Sequence, residues 1–239
     1  MILFIAAAIA TAAPAPTACP DVVTSEAFVC RALAASKAGQ TDEAAGDFEQ
    51  AAEAQTENPA EKARLWAAAG NMWIAANQAG KAAVALDKAL ASPELQAEQR
   101  GEALLDRARA AEAQNDLTTA RAKVTEATQT ISDDPFLWYF SAALAIRENN
   151  PAAAKTAIGK ALSLAPNDPT ILFEAGHVFH FAGEPDQART YWNRAEQADP
   201  NGPIGKAARE AMTILPALPP ADGDAGPPQK PAPVPQPRS

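Results

Sequence analysis

Apolar positions recur along the chain at a fixed set of intervals. Large side chains form two columns whose members are 38, 38, 34 and 34 residues apart, and small residues follow the same steps in three further columns. Two helices pack closely only where facing residues are small, while large side chains fill the space beside them. The pattern therefore predicts five pairs of packed helices. The large columns are Phe28, Trp66, Leu104, Trp138 and Leu172, and Phe48, Leu86, Val124, Ile158 and Trp192. The small columns are Ala32, Gly70, Ala108, Ala142 and Gly176, Ala44, Ala82, Ala120, Ala154 and Ala188, and Ala51, Ala89, Ala127, Ala161 and Ala195.

Prolines support these intervals independently. Alanine makes up about a quarter of the chain, so alanine columns alone could arise by chance. Three pairs of prolines, however, are also separated by 34 residues, which alanine abundance does not explain. These pairs are Pro135 and Pro169, Pro151 and Pro185, and Pro166 and Pro200.

Capping residues followed by proline indicate where helices begin. A short polar side chain accepts backbone hydrogen bonds at the N-cap, and proline is favoured at the first helical position. The four additional residues of each 38-residue interval begin at Pro59 and Ala97. Because four residues are close to one helical turn, we expect a lengthened helix there with its buried face in phase. The predicted starts are Asn58-Pro59, Ser92-Pro93, Asp134-Pro135, Asn150-Pro151 and Asp168-Pro169.

The repeats resemble the tetratricopeptide repeat family, whose unit of 34 residues is a pair of antiparallel helices closed by a proline. The resemblance implies an all-α fold, an α-solenoid of five helix hairpins followed by a C-terminal capping helix. The best matching unit holds Leu172, Ala175, Gly176, Phe179, Ala188, Trp192, Ala195 and Pro200 in the family's positions. We place the units at 25–58, 63–96, 101–134, 135–168 and 169–202 and the capping helix at 203–215, within a repeat region of 19–215.

The two ends of the chain differ from the repeats. An apolar run from Ile2 to Ile9 leads into small residues, the pattern of a secretory signal peptide, so we assign 1–18 to a signal peptide and N-terminal segment. The run is too short to span a bilayer, which takes about 20 residues. Residues 216–239 hold nine of the 21 prolines, which predicts a disordered Pro-rich tail. We therefore expect a protein of bacterial type, exported to the periplasm or secreted.

Charge narrows the class of partner. The formal net charge is −9, and no cluster of Lys and Arg occurs anywhere in the chain. Binding to nucleic acid depends on a basic patch that neutralises phosphates. We therefore expect a protein or peptide partner and no nucleic acid.

Two cysteines, Cys19 and Cys30, leave three alternatives open. In an oxidising compartment, an even number of nearby cysteines favours a disulfide. Cys19 could instead carry a lipid as the first residue of an outer-membrane lipoprotein, although the residues before it depart from the lipobox pattern. Both could also be free thiols, with Cys30 packed on a helix.

The chain contains few residues of the types that commonly act in catalysis, and no catalytic motif. It has two histidines and two cysteines, no Gly-rich phosphate loop and no His-Glu metal motif. His177 and His180 lie on one face of a predicted helix and could approach one metal ion, but no third ligand is evident beyond Glu174 one turn earlier. We therefore expect no enzyme, no cofactor and no bound metal, with a metal-dependent enzyme using the two histidines as an alternative.

The family resemblance implies that the first helices of successive units line a concave groove for a peptide or a helix. The same aromatic side chains could equally close the core against a neighbouring helix. By position, the C-terminal groove consists of Phe136, Tyr139, Ile146, Arg147, Phe173, His177, His180 and Phe181. Earlier units place a smaller and more polar set there, namely Arg64, Asn71, Ile74, Leu105 and Arg109.

These observations predict a non-enzymatic adaptor or scaffold of the cell envelope that binds a partner through the C-terminal half of its groove. A lipid-anchored assembly subunit, attached through Cys19, is the alternative.

Overall fold

The computed structural model describes residues 19–215, which form eleven helices and no strand. The signal peptide predicted at 1–18 and the tail predicted at 216–239 lie outside the described residues. None of the described helices has the length and apolarity needed to cross a membrane. The helices are α1 Ser25–Lys37, α2 Thr41–Ala54, α3 Pro59–Ala75, α4 Ala79–Leu90, α5 Ala97–Ala113, α6 Leu117–Ala127, α7 Pro135–Arg147, α8 Pro151–Leu164, α9 Pro169–Phe181, α10 Pro185–Ala198 and α11 Pro203–Met212.

Each of the five hairpins turns on a residue with positive φ. Between the two helices of a hairpin, one residue adopts the left-handed conformation, with φ from 55° to 77°. The next backbone N–H donates to a carbonyl five residues earlier, as from Gln40 to Ala35 at 2.9 Å. This is the Schellman ending of a helix, which glycine and asparagine favour. The turn residues keep the sequence intervals and are Gly39, Asn77, Asn115, Asn149 and Gly183.

The two lengthened helices predicted from the sequence are confirmed. Helices α3 and α5 begin at Pro59 and Ala97 and have 17 residues each, whereas α1, α7 and α9 have 13. The difference is one helical turn, so the buried faces stay in register.

The helix start predicted at Ser92-Pro93 is wrong, because α5 begins at Ala97 after a turn. Within that turn, the Ser92 hydroxyl accepts a hydrogen bond from the Glu94 N–H at 3.2 Å. Leu95 is buried in the core and anchors the segment. The polar and Pro residues therefore stabilise a connection rather than a helix.

The other predicted starts are confirmed, each with proline at the first helical position. Asn58 accepts from the Glu61 N–H, Asn150 from the Ala153 N–H and Asp168 from the Ile171 N–H, all at 3.0 Å. Asp134 accepts from the Phe136 N–H at 2.8 Å. These side chains satisfy donors that have no partner within the helix.

The small columns are buried throughout the five hairpins, and nine of the ten large positions are buried as well. Gly70 and Gly176 show why small residues are needed, since a Cβ would overlap the side chain of Leu86 or Trp192 respectively. Trp138 is the exception in the large columns. It is half-buried and its indole N–H donates to the Ser132 carbonyl at 2.7 Å, while the adjacent Leu137 is fully buried.

The chain divides into two compact units, one up to Pro166 and one from Asn167 onward. In the first unit, two buried clusters run from α1 to α7 and meet around α5, and α8 buries Ile158 and the alanines on its inner face. In the second, α9, α10 and α11 pack on one another around the fully buried Trp192, whose indole N–H donates to the Phe173 carbonyl at 3.1 Å.

The terminal helix is shorter than predicted. Helix α11 ends at Met212, so the last three residues of the predicted 203–215 segment are outside the helix, although Leu215 is buried. Asp199 caps the helix start by accepting from the Ile204 N–H at 3.0 Å. The turn after Met212 is held by the Thr213, Ile214 and Leu215 N–H groups, which donate to carbonyls three residues earlier.

Candidate functional site

A cavity of about 420 Å³ opens along α1, α3 and α5, the first helices of three successive hairpins. Its apolar lining includes Ala67, Ala68 and Met72 of α3 and Phe48 of α2. Leu33 and Ser36 contribute from α1, and Gln99, Glu102 and Asp106 contribute from α5. Concave sites with an apolar lining and a few converging polar groups are where proteins most often bind ligands.

The added turn of α5 supplies part of this site. That turn spans residues 97–100, and it contains Gln99, which lines the cavity, and Glu98, which lines an adjoining one. Gly101 follows directly, where a Cβ would overlap Thr130 and Ile131. The glycine therefore allows α5 to lie against the segment before α7, which brings the acidic residues of that segment close to Glu102.

Asp106 is held in place by two donors. The Asn71 side-chain amide donates to it at 2.8 Å and the Arg109 guanidinium at 2.9 Å. The hydrogen bond from Asn71 connects α3 to α5 across the cavity wall. Arg64 pairs with Glu61 one turn before it on the same helix. Three of the charged groups at the site, Asp106, Arg109 and Arg64, are therefore already paired.

Four carboxylates lie together beside this cavity. Glu98, Glu102, Asp133 and Asp134 line a second opening of about 510 Å³, whose other lining residues are uncharged. Arg100, the nearest arginine along α5, donates instead to the Leu90 carbonyl at 3.0 Å and pairs with Glu126. We refer to these four residues as the acidic cluster.

Glu102 lines both openings, and the neighbouring carboxylates affect the pKa of its side chain. Partial burial, followed by the negative charges of Glu98, Asp106 and Asp134, raises the pKa of its carboxyl above 4.5. Crowded carboxylates destabilise one another's charged form, and a nearby cation reverses that effect. The cluster is therefore electrostatically suited to a positive ligand.

The side chain of Gln99 contains a hydrogen-bond acceptor without a partner in the described residues. Its side-chain Oε1 is buried and accepts no hydrogen bond within the described part of the chain. A buried acceptor without a donor costs about 1–3 kcal/mol in stability.

A third cavity of about 410 Å³ continues along α3, α5 and α7. Ile74, Arg109 and Phe140 line it together with Glu112. Of the polar set that the sequence placed in the groove, Arg64, Asn71, Ile74 and Arg109 thus line one of these cavities. Leu105 instead packs against the core around α5 and α7.

In α7, the predicted C-terminal groove residues differ in their surroundings. Phe136 is 49% exposed and makes an edge contact with the half-buried Tyr139, with ring centroids 6.5 Å apart. Ile146 is half-buried. Arg147 donates to the Glu112 carbonyl and to Asn115 Oδ1, both at 2.9 Å, and pairs with the Glu112 carboxylate. Its guanidinium therefore stabilises the end of α5 and the turn after it.

In α9, three of the predicted groove residues, Phe173, His177 and His180, lie beside Trp192 of the same unit. Phe173 contacts His177 edge-on with centroids 4.6 Å apart, and His177 and His180 lie 5.3 and 5.9 Å from Trp192. Phe181 is half-buried. Burial, and then the neighbouring His180, lowers the pKa of His177. Phe173 and His177 thus contribute to the packing of α9 on α10.

In the described residues 19–215, no three His, Cys, Asp or Glu side chains are grouped in a way that could hold a metal ion. Glu174 is present on the histidine helix, and burial raises its pKa to about 7.

Cys19 and Cys30 are joined by a disulfide, with 5.7 Å between their Cα atoms. Arg31 donates to the Pro20 carbonyl at 3.0 Å, so two contacts attach the segment before α1 to that helix. A sulfur in a disulfide is not available for attachment of a lipid, so the structure favours the first of the three alternatives for Cys19.

Sequence reasoning missed Gln99, the acidic cluster and Phe140 as site residues. The signal for Glu98 and Gln99 was present, because both lie in the four residues by which the 38-residue interval exceeds 34. Asp133 and Asp134 lie near α5 because Gly101 allows that helix to pack closely against Thr130 and Ile131. The spacing of apolar residues in the sequence does not reveal this contact.

These hairpins define a class of repeat protein, built from antiparallel helix pairs that meet through small side chains. Residues 142–203 match the family model described as Tetratricopeptide repeat. In the described residues, the predicted all-α fold of five such hairpins followed by one helix is confirmed, and it is similar to that of tetratricopeptide repeat proteins. No curated protein matches the chain.

Solved structures share the fold at low sequence identity. PilW, described as a widely conserved type IV pilus biogenesis factor, matches with a TM-score of 0.67 and 17% identity over 79% of this chain and 84% of PilW. PilF of Pseudomonas aeruginosa matches with a TM-score of 0.62 and 14% identity over 80% and 83%. YrrB, a TPR protein with an unusual peptide-binding site, matches with a TM-score of 0.56 and 15% identity over 77% and 91%.

The fold is that of scaffolds for protein–protein interaction, and tetratricopeptide repeat proteins are in general adaptors without enzymatic activity.

Proposed function

We propose that this protein is a non-enzymatic adaptor of the cell envelope that binds a segment of a partner protein in the cavity along α1, α3 and α5. The single observation that carries this proposal is the cavity itself, where Ala67, Ala68 and Met72 leave space between three successive first helices. Apolar space beside groups such as Asn71 and Gln99 suits a peptide, which offers apolar side chains together with backbone donors and acceptors.

This proposal relocates the binding site expected from the sequence. Phe173 and His177 of α9 pack around Trp192, and Arg147 of α7 is engaged by Glu112 and Asn115. The cavity in the first unit is the better formed recess for a partner.

Export rests on two features. The apolar leader from Ile2 to Ile9 favours secretion, and the disulfide between Cys19 and Cys30 is stable in an oxidising compartment. The test is mass spectrometry of protein from fractionated cells, with and without reduction before alkylation. We expect a periplasmic or secreted product without leader or lipid that is alkylated at two cysteines only after reduction. Full-length protein with free thiols in the cytosolic fraction would contradict export.

Partner binding is tested by site-specific photo-crosslinking of the full chain. A benzoylphenylalanine replaces Ala67, which lines the cavity, or Ala75, which is exposed on the same helix. We expect position 67 to crosslink to a defined partner segment, identified by mass spectrometry of the crosslinked peptide, and position 75 to yield no such product. Equal crosslinking at both positions, or none at 67, would contradict the assignment of the cavity.

A further inference from the structure

A recess of about 460 Å³ lies between the start of α3 and the end of α4. Residues of the first two turns of α3 form one wall, and Lys88 with the two residues that follow α4 forms the other. None of the residues that line this recess also lines the cavity along α1, α3 and α5. The lining consists of Pro59, Lys62, Ala63, Trp66, Lys88, Ala91 and Ser92.

The recess and the cavity lie on opposite sides of α3. Lys62 lines the recess and Arg64 the cavity, and Trp66 and Ala68 divide in the same way. Two positions along an α-helix correspond to a rotation of about 200°. A ligand in the recess therefore leaves the cavity accessible.

We propose that the recess binds an acidic segment of a partner protein, with an aliphatic or proline side chain in its apolar part and a neighbouring Asp or Glu carboxylate between Lys62 and Lys88. This surface is additional to the cavity of the proposed function and does not depend on it.

The apolar part of the recess suits a side chain of moderate size. Apart from the two lysines and Ser92, its lining is Pro59, Ala63, Trp66 and Ala91. Ligand pockets commonly have volumes of about 300–1,000 Å³ and combine an apolar lining with a few polar groups. The recess has this composition, and its polar groups are at its edge on both helices.

Charge complementarity identifies the sign of the ligand. Lys62 and Lys88 each have no acidic residue three or four positions away along the chain, so neither can form an ion pair within its helix. Neither forms an ion pair with any other residue of 19–215, and the lining of the recess contains no Asp or Glu. The Ser92 hydroxyl accepts from the Glu94 N–H at 3.2 Å and can also donate. The polar groups of the recess therefore favour an anionic acceptor.

The position of Lys88 is already fixed before a ligand binds. Its ammonium nitrogen lies 3.6 Å from the centroid of the Trp66 ring, and Trp66 is itself buried. A cation held over an indole loses less side-chain freedom when it then binds a carboxylate. Asp87, the adjacent residue of α4, is engaged by Arg107 at 2.8 Å and does not compete for Lys88.

The net charge of the chain favours a short acidic segment over an anionic membrane. The formal net charge is −9, which repels an extended anionic surface as a whole. A segment with one or two carboxylates interacts mainly with the nearest charges, because salt screens interactions beyond about 8 Å at physiological ionic strength.

The test is an NMR titration of the full chain with the peptide acetyl-Glu-Leu-Pro-Glu-amide. The matched control peptide, acetyl-Gln-Leu-Pro-Gln-amide, keeps the shape and removes the charge. We expect saturable shifts of the Trp66 indole N–H and the Ala91 amide with the acidic peptide. We expect at least fivefold weaker binding of the glutamine peptide.

Three protein variants separate the recess from general electrostatic attraction. Lys62→Gln and Lys88→Gln each remove one charge from the recess. Lys81→Gln is the matched control, because Lys81 also lies on α4 and over an indole, 4.0 Å from the Trp73 ring, but does not line the recess. With equal helical content in all three, we expect at least fivefold weaker binding by K62Q and K88Q and unchanged binding by K81Q.

No saturable shift, equal binding of the glutamine peptide, or unchanged binding by K62Q and K88Q would overturn the inference. An equal loss in K81Q would overturn it as well, since attraction would then not depend on the recess. Binding of phosphatidylglycerol vesicles through Lys62 and Lys88, without binding of the peptide, would overturn the choice of a protein segment. Crosslinking at position 67 tests the proposed function separately, because Ala67 lies outside the recess.

Discussion

Helices α5 and α9 occupy the same place in their hairpins but present different surfaces. Helix α5 is one turn longer, and along the groove it carries Gln99, Glu102 and Asp106 beside a cavity. Helix α9 carries Phe173 and His177, which pack around Trp192. One repeat pattern thus produces a recess in the first unit and a filled aromatic core in the second.

The comparison indicates that the side chains on a first helix decide whether a recess remains beside it or is filled by packing. In the first unit, the groove-facing residues of α3 are Ala67, Ala68 and Asn71, which leave space. The added turn of α3 similarly contributes Pro59 and Lys62 to a recess of about 460 Å³ beside Trp66. The added turns of α3 and α5 therefore each contribute residues to a recess.

The largest loss of stability is expected when Gly176, which packs against Trp192 in the second unit, is replaced by a large residue. A Cβ at this position overlaps the indole of Trp192, and that rigid ring has little freedom to move aside. We expect Gly176→Leu to lower the free energy of unfolding of the second unit by about 3 kcal/mol, at the upper end for overpacking. Urea denaturation followed by Trp fluorescence measures the effect.

Gly159→Ala is the matched control, because nothing lies within 4 Å of a Cβ at this exposed helical position. We expect it to stabilise the protein by about 0.5–1 kcal/mol, as alanine does in a helix interior. A neutral G176L variant would show that α9 and α10 are not packed through this glycine.

Glu174 of α9 makes the stability of the second unit depend on pH. Burial raises its pKa from 4.5 to about 7, so the folded chain binds more protons than the unfolded chain between these values. Stability contributed by this group is therefore present below pH 4.5 and is lost as the pH rises to about 7. We expect Glu174→Gln to stabilise the protein at pH 8 by up to about 3 kcal/mol and to have little effect at low pH.

Thermal melting of wild type and E174Q at the same series of pH values checks this prediction. His177 has a lowered pKa and acts in the opposite direction as the pH falls, but both proteins contain it, so its contribution cancels. A difference between the two proteins that does not change with pH would contradict burial of a charged Glu174.

In the first unit, Gly101→Ala tests the packing of α5 against the segment before α7. A Cβ there overlaps side-chain atoms of Thr130 and Ile131, so these side chains or α5 must shift. We expect a loss of about 1–2 kcal/mol in the free energy of unfolding, measured by urea denaturation. Unchanged stability would show that this close contact is relieved without cost.

The smallest loss of stability is expected from removal of a helix N-cap, a feature that occurs in both units. Asn150→Ala removes the acceptor of the Ala153 N–H in the first unit, and Asp168→Ala removes that of the Ile171 N–H in the second. We expect each to cost about 1 kcal/mol in urea denaturation. Gln78→Ala is the control, because the Gln78 side chain makes no capping hydrogen bond, and it should be neutral.

The hairpins could be predicted from the sequence because their packing is periodic. Columns such as Ala44 to Ala188 are buried because each position meets the same partner helix in every unit. The turn column from Gly39 to Gly183 obeys the same intervals and was equally available in the sequence. Trp138 departs from its column because Leu137, the adjacent apolar residue, takes the buried place.

The candidate site could be predicted only in part. The resemblance placed Asn71 and Arg109 on the groove, but the cavity depends on Leu95, which enters the core from a connection that the pattern had assigned to a helix start. The acidic cluster depends on the close approach of α5 at Gly101, which the spacing of apolar residues does not reveal. The repeat intervals therefore predict the packing that all the hairpins share, but they do not predict features that are particular to one hairpin.

The most direct test of the central claim is the affinity of the crosslinked partner segment for two variants of α3. Ala67→Trp fills the cavity, and Ala75→Trp places the same side chain on an exposed position of the same helix. By isothermal titration calorimetry, we predict at least a hundredfold loss of affinity for A67W and wild-type affinity for A75W. Undiminished binding to a folded A67W variant would contradict the claim that this cavity is where the protein holds its partner.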